Sequence, residues 1–212
     1  MFITFEGIEG SGKTLQADRA AAYLMSKGIR SMVTREPGGT PFGKAVRQIL
    51  LRTGGPEREP VSELLLYLAD RYQHLHETIL PALRDGAAVI SDRYHDATRA
   101  YQGAARGLPG EMIDQLAGLL QIPDPDRTIL LDIDPLAGLG RARLRDDTSG
   151  AALQEGRFEA EELSFHKQVR QGYLALAGRF PARIQVVDAS GTPESVADRI
   201  QGLLRQWFHI SD

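Results

Sequence analysis

The 212-residue chain contains no cysteine. That excludes disulfides, thiolate zinc sites, iron–sulfur clusters and cysteine nucleophiles together. It also lacks long hydrophobic runs; a stretch such as residues 64–69 falls far short of the about 20 apolar residues that a membrane helix needs. Neither sign of charge dominates. With 25 Lys+Arg against 28 Asp+Glu the formal net charge is −3, which supplies none of the strong positive field that bulk nucleic-acid binding requires. No basic segment precedes the first apolar residues, which lead from Met1 straight into Glu6. A secretory signal is therefore not expected, and the cytoplasm is the expected compartment. There is no internal repeat and no low-complexity tract. What is present, 42% hydrophobic and 25% charged residues, is ordinary for one globular domain over residues 1–212 with a sizeable core.

Short, almost continuously apolar runs at 2–5, 31–34, 87–91, 128–133 and 184–187 alternate with longer helical stretches. Continuous rather than alternating apolarity is how strands buried on both faces of a parallel sheet read. Asp134-Pro135 and Thr192-Pro193 each set a capping side chain before a proline at the first helical position. Phe165, Val169, Tyr173, Leu176 and Phe180 share one helix face. Ser62 is expected to open a long helix that Pro81 kinks or divides. Repeated strand–helix alternation predicts a doubly wound α/β domain with a five-stranded parallel sheet. Two segments read as irregular: 52–60, rich in Gly, Pro and charge, and 146–156, a polar flap flanked by Arg141, Arg143, Arg145 and Arg157.

Gly7-Ile8-Glu9-Gly10-Ser11-Gly12-Lys13-Thr14 fits G-x-x-x-x-G-K-[ST] between an expected strand and an expected helix. Glycines let successive backbone N–H groups turn toward an anion, and the following helix aims its positive end at it. Lys13 adds a full charge near the β- and γ-phosphates, and the Thr14 hydroxyl suits Mg²⁺. This combination points to a P-loop NTPase-type fold that binds a nucleoside triphosphate.

The expected acceptor side is built from arginines. Asp92-Arg93-Tyr94 follows the run 87–91, where a carboxylate can hold a Mg²⁺-bound water. Arg35 follows another strand and should open into the same crevice. Two guanidinium groups at neighbouring strand ends suit a second phosphate, which a kinase with a phosphorylated acceptor needs and a hydrolytic switch does not. The competing reading is surface pairing of Arg35 with Glu36. Tyr67 and Arg71 are four apart on one helix, a stacking surface beside a donor fork that suits a flat heterocycle, although Tyr67 also fits a core. Gln102 offers a donor and an acceptor, as an imide edge requires. His74, His76, His95 and His166 read as packing or surface residues.

With these pieces the chain resembles the bacterial thymidylate kinases (dTMP kinases). The resemblance rests on Phe2-Ile3-Thr4-Phe5-Glu6-Gly7 with its phosphate loop, Thr34-Arg35-Glu36-Pro37-Gly38-Gly39-Thr40, 64–71, Asp92-Arg93-Tyr94, Ala100-Tyr101-Gln102-Gly103, Leu131-Asp132-Ile133-Asp134-Pro135, 165–173 and Val187-Asp188-Ala189. It implies transfer of the ATP γ-phosphoryl group to dTMP, with Mg²⁺, in a homodimer. It implies that residues 7–14, including Ile8 and Ser11, together with Arg141 bind ATP, and that Thr14 and Asp92 serve Mg²⁺ largely through water. It implies that Glu9 meets the acceptor 3′-hydroxyl, that Arg35 and Arg93 hold its phosphate, and that Phe42 lines its site. Tyr67 then stacks on thymine, Arg71 bonds its carbonyl, Thr98 and Gln102 reach its ring nitrogen, and Tyr101 lies beneath the sugar. Residues 143–157 correspond to a mobile lid. The chain departs from the family pattern with Ala97 where serine is common and Gly156 before Arg157. Its phosphate loop carries no arginine, which implies that Arg143, Arg145 or Arg157 supplies the catalytic one.

Overall fold

The computed structural model describes residues 1–54, 57–149, 157–158 and 161–211, and the side chains of these except 145–149. Five strands, β1 (Phe2–Glu6), β2 (Ser31–Arg35), β3 (Ala88–Asp92), β4 (Arg127–Asp132) and β5 (Ile184–Asp188), form one sheet in the order β2-β3-β1-β4-β5. Every pairing is parallel. The expected five-stranded parallel sheet is thus present. β1 and β3 are neighbours with Phe5 opposite Asp92, and Arg35 of β2 is also opposite Asp92. Their carboxyl ends therefore open side by side, the position at which such sheets receive ligands.

Between the strands run α1 (Lys13–Ser26), α2 (Pro41–Leu51), α3 (Pro60–His74), α4 (Leu80–Arg84), α5 (His95–Thr98), α6 (Gly110–Leu119), α7 (Pro135–Ser149) and α8 (Leu163–Arg179), and α9 (Pro193–Phe208) follows β5. Local chemistry explains their starts. Thr40 Oγ1 accepts from the Gly43 N–H at 2.9 Å, Asp134 Oδ1 from the Leu136 N–H at 2.9 Å, and Thr192 Oγ1 from the Ser195 N–H at 3.2 Å. Each of these caps precedes a proline at the first helical position, where the missing N–H costs nothing. The central strands contribute Ile3, Phe5, Ile90, Ile129 and Leu131 to the main core, against Leu24 of α1, Val169 and Tyr173 of α8 and Ile200 of α9.

Three boundaries differ from the sequence expectation. α3 opens at Pro60, not Ser62, because Pro60 itself is preorganised for a first turn. Pro81 neither simply kinks nor divides the helix. A π-helical segment, Leu75–Ile79, joins α3 to α4, and the Leu80 N–H donates to the Leu75 carbonyl. The wider turn falls where Pro81 lacks a donor and its ring crowds the preceding turn. The expected flap is in part helix, since α7 continues to Ser149 and carries Arg143 and Arg145; the remainder of it, 150–156, lies outside the described residues. Polar composition disguised a solvated helix as loop. A second π-helical stretch, Arg99–Ala105, extends α5 and carries Tyr101 and Gln102. Among the described residues no helix is long and apolar enough to cross a membrane.

Candidate active site

The loop after β1 is shaped by backbone that only glycine adopts easily. Gly10 has φ 70°, and a Cβ there would lie 1.9 Å from the Gly138 carbonyl in the first turn of α7. Gly12, φ 91°, precedes α1, which has no side-chain cap and no acidic residue in its first turn. Uncapped N–H groups of this kind suit an anion. Lys13 folds back over the loop, donating to the Ile8 carbonyl at 2.8 Å and Ser11 Oγ at 3.3 Å. Burial, then the charge of Arg93, pushes the Lys13 ammonium down to about 8, against the pull of Asp92, Glu9 and Glu6. An arriving polyanion favours its charged form.

Across from the loop, the Thr14 hydroxyl donates to Asp92 Oδ2 at 2.5 Å. Hydroxyl and carboxylate oxygens are the ligands that Mg²⁺ takes, usually one or two from protein with the rest from phosphate and water. Thr14 and Asp92 offer one of each, a donor set that fits that shared mode.

Arg93 has φ 71°, an uncommon conformation for a residue with a side chain. The turn brings its guanidinium back over the loop. It donates to Glu9 Oε1 at 2.8 Å, to the Tyr101 hydroxyl at 3.0 Å and to the Gly7 carbonyl at 3.3 Å. Tyr101 donates to the same Glu9 oxygen at 2.6 Å, and His166 Nδ1 lies 3.1 Å from Glu9 Oε2. Burial alone raises the Glu9 carboxyl, but the His166 hydrogen bond, the Arg93 and Lys13 charges and the Tyr101 hydroxyl outweigh it and hold it well below the usual range. Behind them Glu6 is completely buried, accepting from the Tyr94 N–H at 2.8 Å and the Tyr173 hydroxyl at 2.7 Å. Burial, reinforced by Asp96, pushes its carboxyl up to about 8.

Arg71 does not lie open on a helix face. It is 2% exposed. It bonds Glu36 Oε2 at 2.7 Å, Thr98 Oγ1 at 2.8 Å, the Tyr94 carbonyl at 3.0 Å and His95 Nδ1 at 3.3 Å. Those bonds engage four of the five N–H groups a guanidinium carries, leaving one on Nη2. Burial and the Arg71 charge hold His95 well below the usual imidazole range, so its Nδ1 can accept. His74 bridges Glu36 Oε1 at 2.9 Å and Thr34 Oγ1 at 2.6 Å. Glu36 is therefore taken, and its expected alternative pairing with Arg35 is not formed.

On α3 one turn before Tyr67, Glu63 receives Gln102 Nε2 at 2.9 Å and Arg157 Nη1 at 2.5 Å. Tyr67 is half-buried; burial, then the nearby Glu63 carboxylate, pushes its phenol up against the charges of Arg93, Arg157 and Arg47. Arg157 also reaches the Leu50 carbonyl at 3.2 Å, and its neighbour Phe158 packs edge-on to Tyr101 at 5.2 Å.

The structure thus brings Gly7, Glu9, Lys13, Thr14, Asp92, Arg93 and Tyr101 together, with Tyr67, Gln102 and Arg157 in a second group beside them. Arg71 and Thr98 bond each other. Other expected residues bond to neither group. Arg35 is exposed at the end of an edge strand, and Phe42 in the first turn of α2 is 49% exposed. Arg143 is exposed on α7, whereas Arg141 spans to the Ala189 and Ser190 carbonyls after β5 at 2.8 and 2.9 Å. The side chain of Arg145 lies outside the described residues. Sequence reasoning missed Glu63, Glu36 and His166. The one-turn spacing of Glu63 from Tyr67 was an available signal; the Glu36 and His166 contacts are tertiary and left none.

A five-stranded parallel sheet, a glycine loop feeding α1, and a charged cluster at the neighbouring strand end are the frame of a P-loop kinase. The family model described as thymidylate kinase matches residues 5–200. The chain belongs to the thymidylate kinase family. It is 53% identical to the thymidylate kinase of Syntrophotalea carbinolica (strain DSM 2380 / NBRC 103641 / GraBd1), covering 94% of this chain and 92% of the relative. It is 49% identical to that of Nitratidesulfovibrio vulgaris (strain DP4), covering 96% and 92%. Among solved structures, thymidylate kinase from Ehrlichia chaffeensis superposes with a TM-score of 0.74 at 33% identity, covering 96% of this chain and 98% of that one.

Proposed function

We propose that this site transfers the γ-phosphoryl group of ATP directly to the phosphate of dTMP, giving dTDP and ADP. The observation that carries the reading is the Glu9–Arg93–Tyr101 cluster facing Lys13 and the phosphate loop. It puts an acceptor-binding guanidinium beside a triphosphate cradle, with an acid and an aromatic hydroxyl for a sugar.

In this reading the loop amides of residues 7–14 and Lys13 hold the β- and γ-phosphates, while Arg141 lies toward the nucleoside side of ATP. Arg93, with Arg35, takes the acceptor phosphate, and Glu9 exchanges part of its internal bonding for the 3′-hydroxyl. Tyr101 supports the sugar. Tyr67 stacks on the base, Phe42 borders the entrance, the spare N–H of Arg71 reaches a base carbonyl, and Thr98 and Gln102 face the ring nitrogen. Thr14 and Asp92 would hold Mg²⁺, largely through water, and the ion would neutralise charge on the phosphate oxygens. An oxygen of the acceptor phosphate attacks the γ-phosphorus as its bond to the ADP oxygen breaks. That oxygen is already ionised near neutral pH, so no general base is required. An arginine among Arg143, Arg145 and Arg157, in the lid segment 143–157, stabilises the transferring group. Val61, Leu65 and Tyr72, exposed together on α3, support a homodimer, and the cytoplasm is the compartment where both substrates occur.

The test is ADP formation with ATP, Mg²⁺ and each of dTMP, dUMP, CMP and AMP. dTMP should be preferred, and Lys13→Ala and Arg93→Ala should each lower kcat by at least about 10²-fold, as loss of a charge-stabilising donor does. Wild-type turnover in either variant refutes the assignment.

A further inference from the structure

The amide of Gln102 is symmetric in shape but not in chemistry. Its oxygen accepts and its nitrogen donates, and a half-turn about the last bond exchanges them. Whichever end faces the base decides which ring nitrogen is welcome. A thymine ring presents a donor N–H at position 3; a cytosine ring presents an acceptor there. An unrestrained glutamine serves either.

Gln102 is restrained. It is buried, and its Nε2 donates to Glu63 Oε1 at 2.9 Å. Glu63 is buried too, and its other oxygen is paired with Arg157 at 2.5 Å. Both partners of Glu63, an amide NH₂ and a guanidinium, are donors, so its two oxygens are used as acceptors. It therefore admits the NH₂ end of Gln102 and repels the carbonyl end. The Oε1 of Gln102 makes no hydrogen bond to any described residue. Glu63 and Tyr67 lie one turn apart on α3, so the Gln102 amide is held beside the expected stacking ring.

We propose that Glu63 is the positioning residue that sets base specificity: it locks the Gln102 amide with its acceptor oxygen toward the base, so that the site takes a pyrimidine with an N3–H and refuses one with a bare N3. Arg157 is part of the lock, because it keeps the second Glu63 oxygen occupied. This rests on the reading that Gln102 faces the base. Rejection by an unpaired buried polar group is the strong form of discrimination, since neither partner finds a substitute for the lost bond.

The experiment compares kcat/KM for dTMP and dCMP in the wild type, Glu63→Gln, Glu63→Asp and Gln102→Ala, with thermal unfolding to verify folding. In Glu63→Gln the new amide can donate as well as accept, so Gln102 is free to turn. The dCMP:dTMP ratio of kcat/KM should rise at least about tenfold, the scale of one buried hydrogen bond. Glu63→Asp keeps an acceptor-only group and should hold the ratio within about threefold of wild type, an order-of-magnitude margin for a retained bond. A structural role alone would lower activity on both nucleotides and leave the ratio fixed. If Gln102→Ala shifts the ratio and Glu63→Gln does not, the lock is refuted while the base-facing role of Gln102 stands. If Gln102→Ala leaves the ratio unchanged, the base-facing role falls and the lock with it. Should Glu63→Gln fail to fold, Glu63→Met takes its place: it removes the acceptor that holds the Gln102 NH₂ group, the same rise is expected, and an unchanged ratio there overturns the proposal.

Discussion

Arg71 offers the most direct test of how the interior is held together. Replacing it with methionine keeps the apolar stem and removes a guanidinium that bonds Glu36, Thr98, His95 and the Tyr94 carbonyl. Glu36 is left buried with His74 as its remaining side-chain partner. Stripping one member from a buried ion pair costs about 3–5 kcal/mol, most of it the penalty on the group left behind. For a chain of this size each kcal/mol moves Tm by about 2–4 °C, so Arg71→Met should melt about 6–20 °C below the wild type. The origin of the loss is separable. In Arg71→Met/Glu36→Gln the stranded charge is gone, and the double variant should be more stable than the sum of the two single losses by about 1–3 kcal/mol. Urea unfolding followed by far-ultraviolet circular dichroism at neutral pH measures all four corners of the cycle. A loss below about 1 kcal/mol in Arg71→Met, or strictly additive losses, would show that the guanidinium is not a structural tie, and the bonding described for it would be wrong in kind.

Two further outcomes are expected. The Glu6 carboxyl rises from 4.5 to about 8 on folding, so between those values the folded chain holds a proton that the unfolded chain has released. Its contribution to stability is complete below about 4.5 and is lost as pH climbs through 8; Glu6→Gln, which has no proton to lose, should gain on the wild type by on the order of a few kcal/mol between pH 5 and pH 8. Urea midpoints at the two pH values check this, and an unchanged gap between the proteins refutes it. Tyr101→Phe removes a hydroxyl that donates to Glu9 and accepts from Arg93, and should lower kcat/KM for dTMP by about 5- to 100-fold, the cost of one unmet buried bond, without changing the fold. Wild-type kinetics would separate that hydroxyl from the reaction.

The fold was legible because its signals are local. Five continuous apolar runs became five parallel strands, and the capping pairs Asp134-Pro135 and Thr192-Pro193 opened helices where expected. The phosphate loop was legible for the same reason: its glycines, lysine and threonine act within one turn of chain. The polar interior was not. Helix spacing put Tyr67 and Arg71 on one face, yet the guanidinium turns inward to a strand end and a cis Glu36–Pro37 loop that no periodicity announces. Glu63 serves Gln102 and Arg157, and His166 serves Glu9, through contacts 39 or more residues apart in the chain. Such partners are fixed by tertiary packing, which a pattern read along one chain does not contain. The flap expectation failed differently: charge density and low apolar content describe an exposed helix as well as a loop, and over 146–149 the helix is what forms.

The contact between Gly10 and Gly138 has a mechanical meaning. Main chain meets main chain there, with the gap too narrow for even a methyl group on either side. A Cβ on Gly138 would lie 2.6 Å from the Glu9 carbonyl, so backbone limits the approach from both sides. The first turn of α7 is in effect a bearing surface for the nucleotide cradle, and the arginines farther along that helix inherit its alignment. The loop and the first turn of α7 can therefore shift only together.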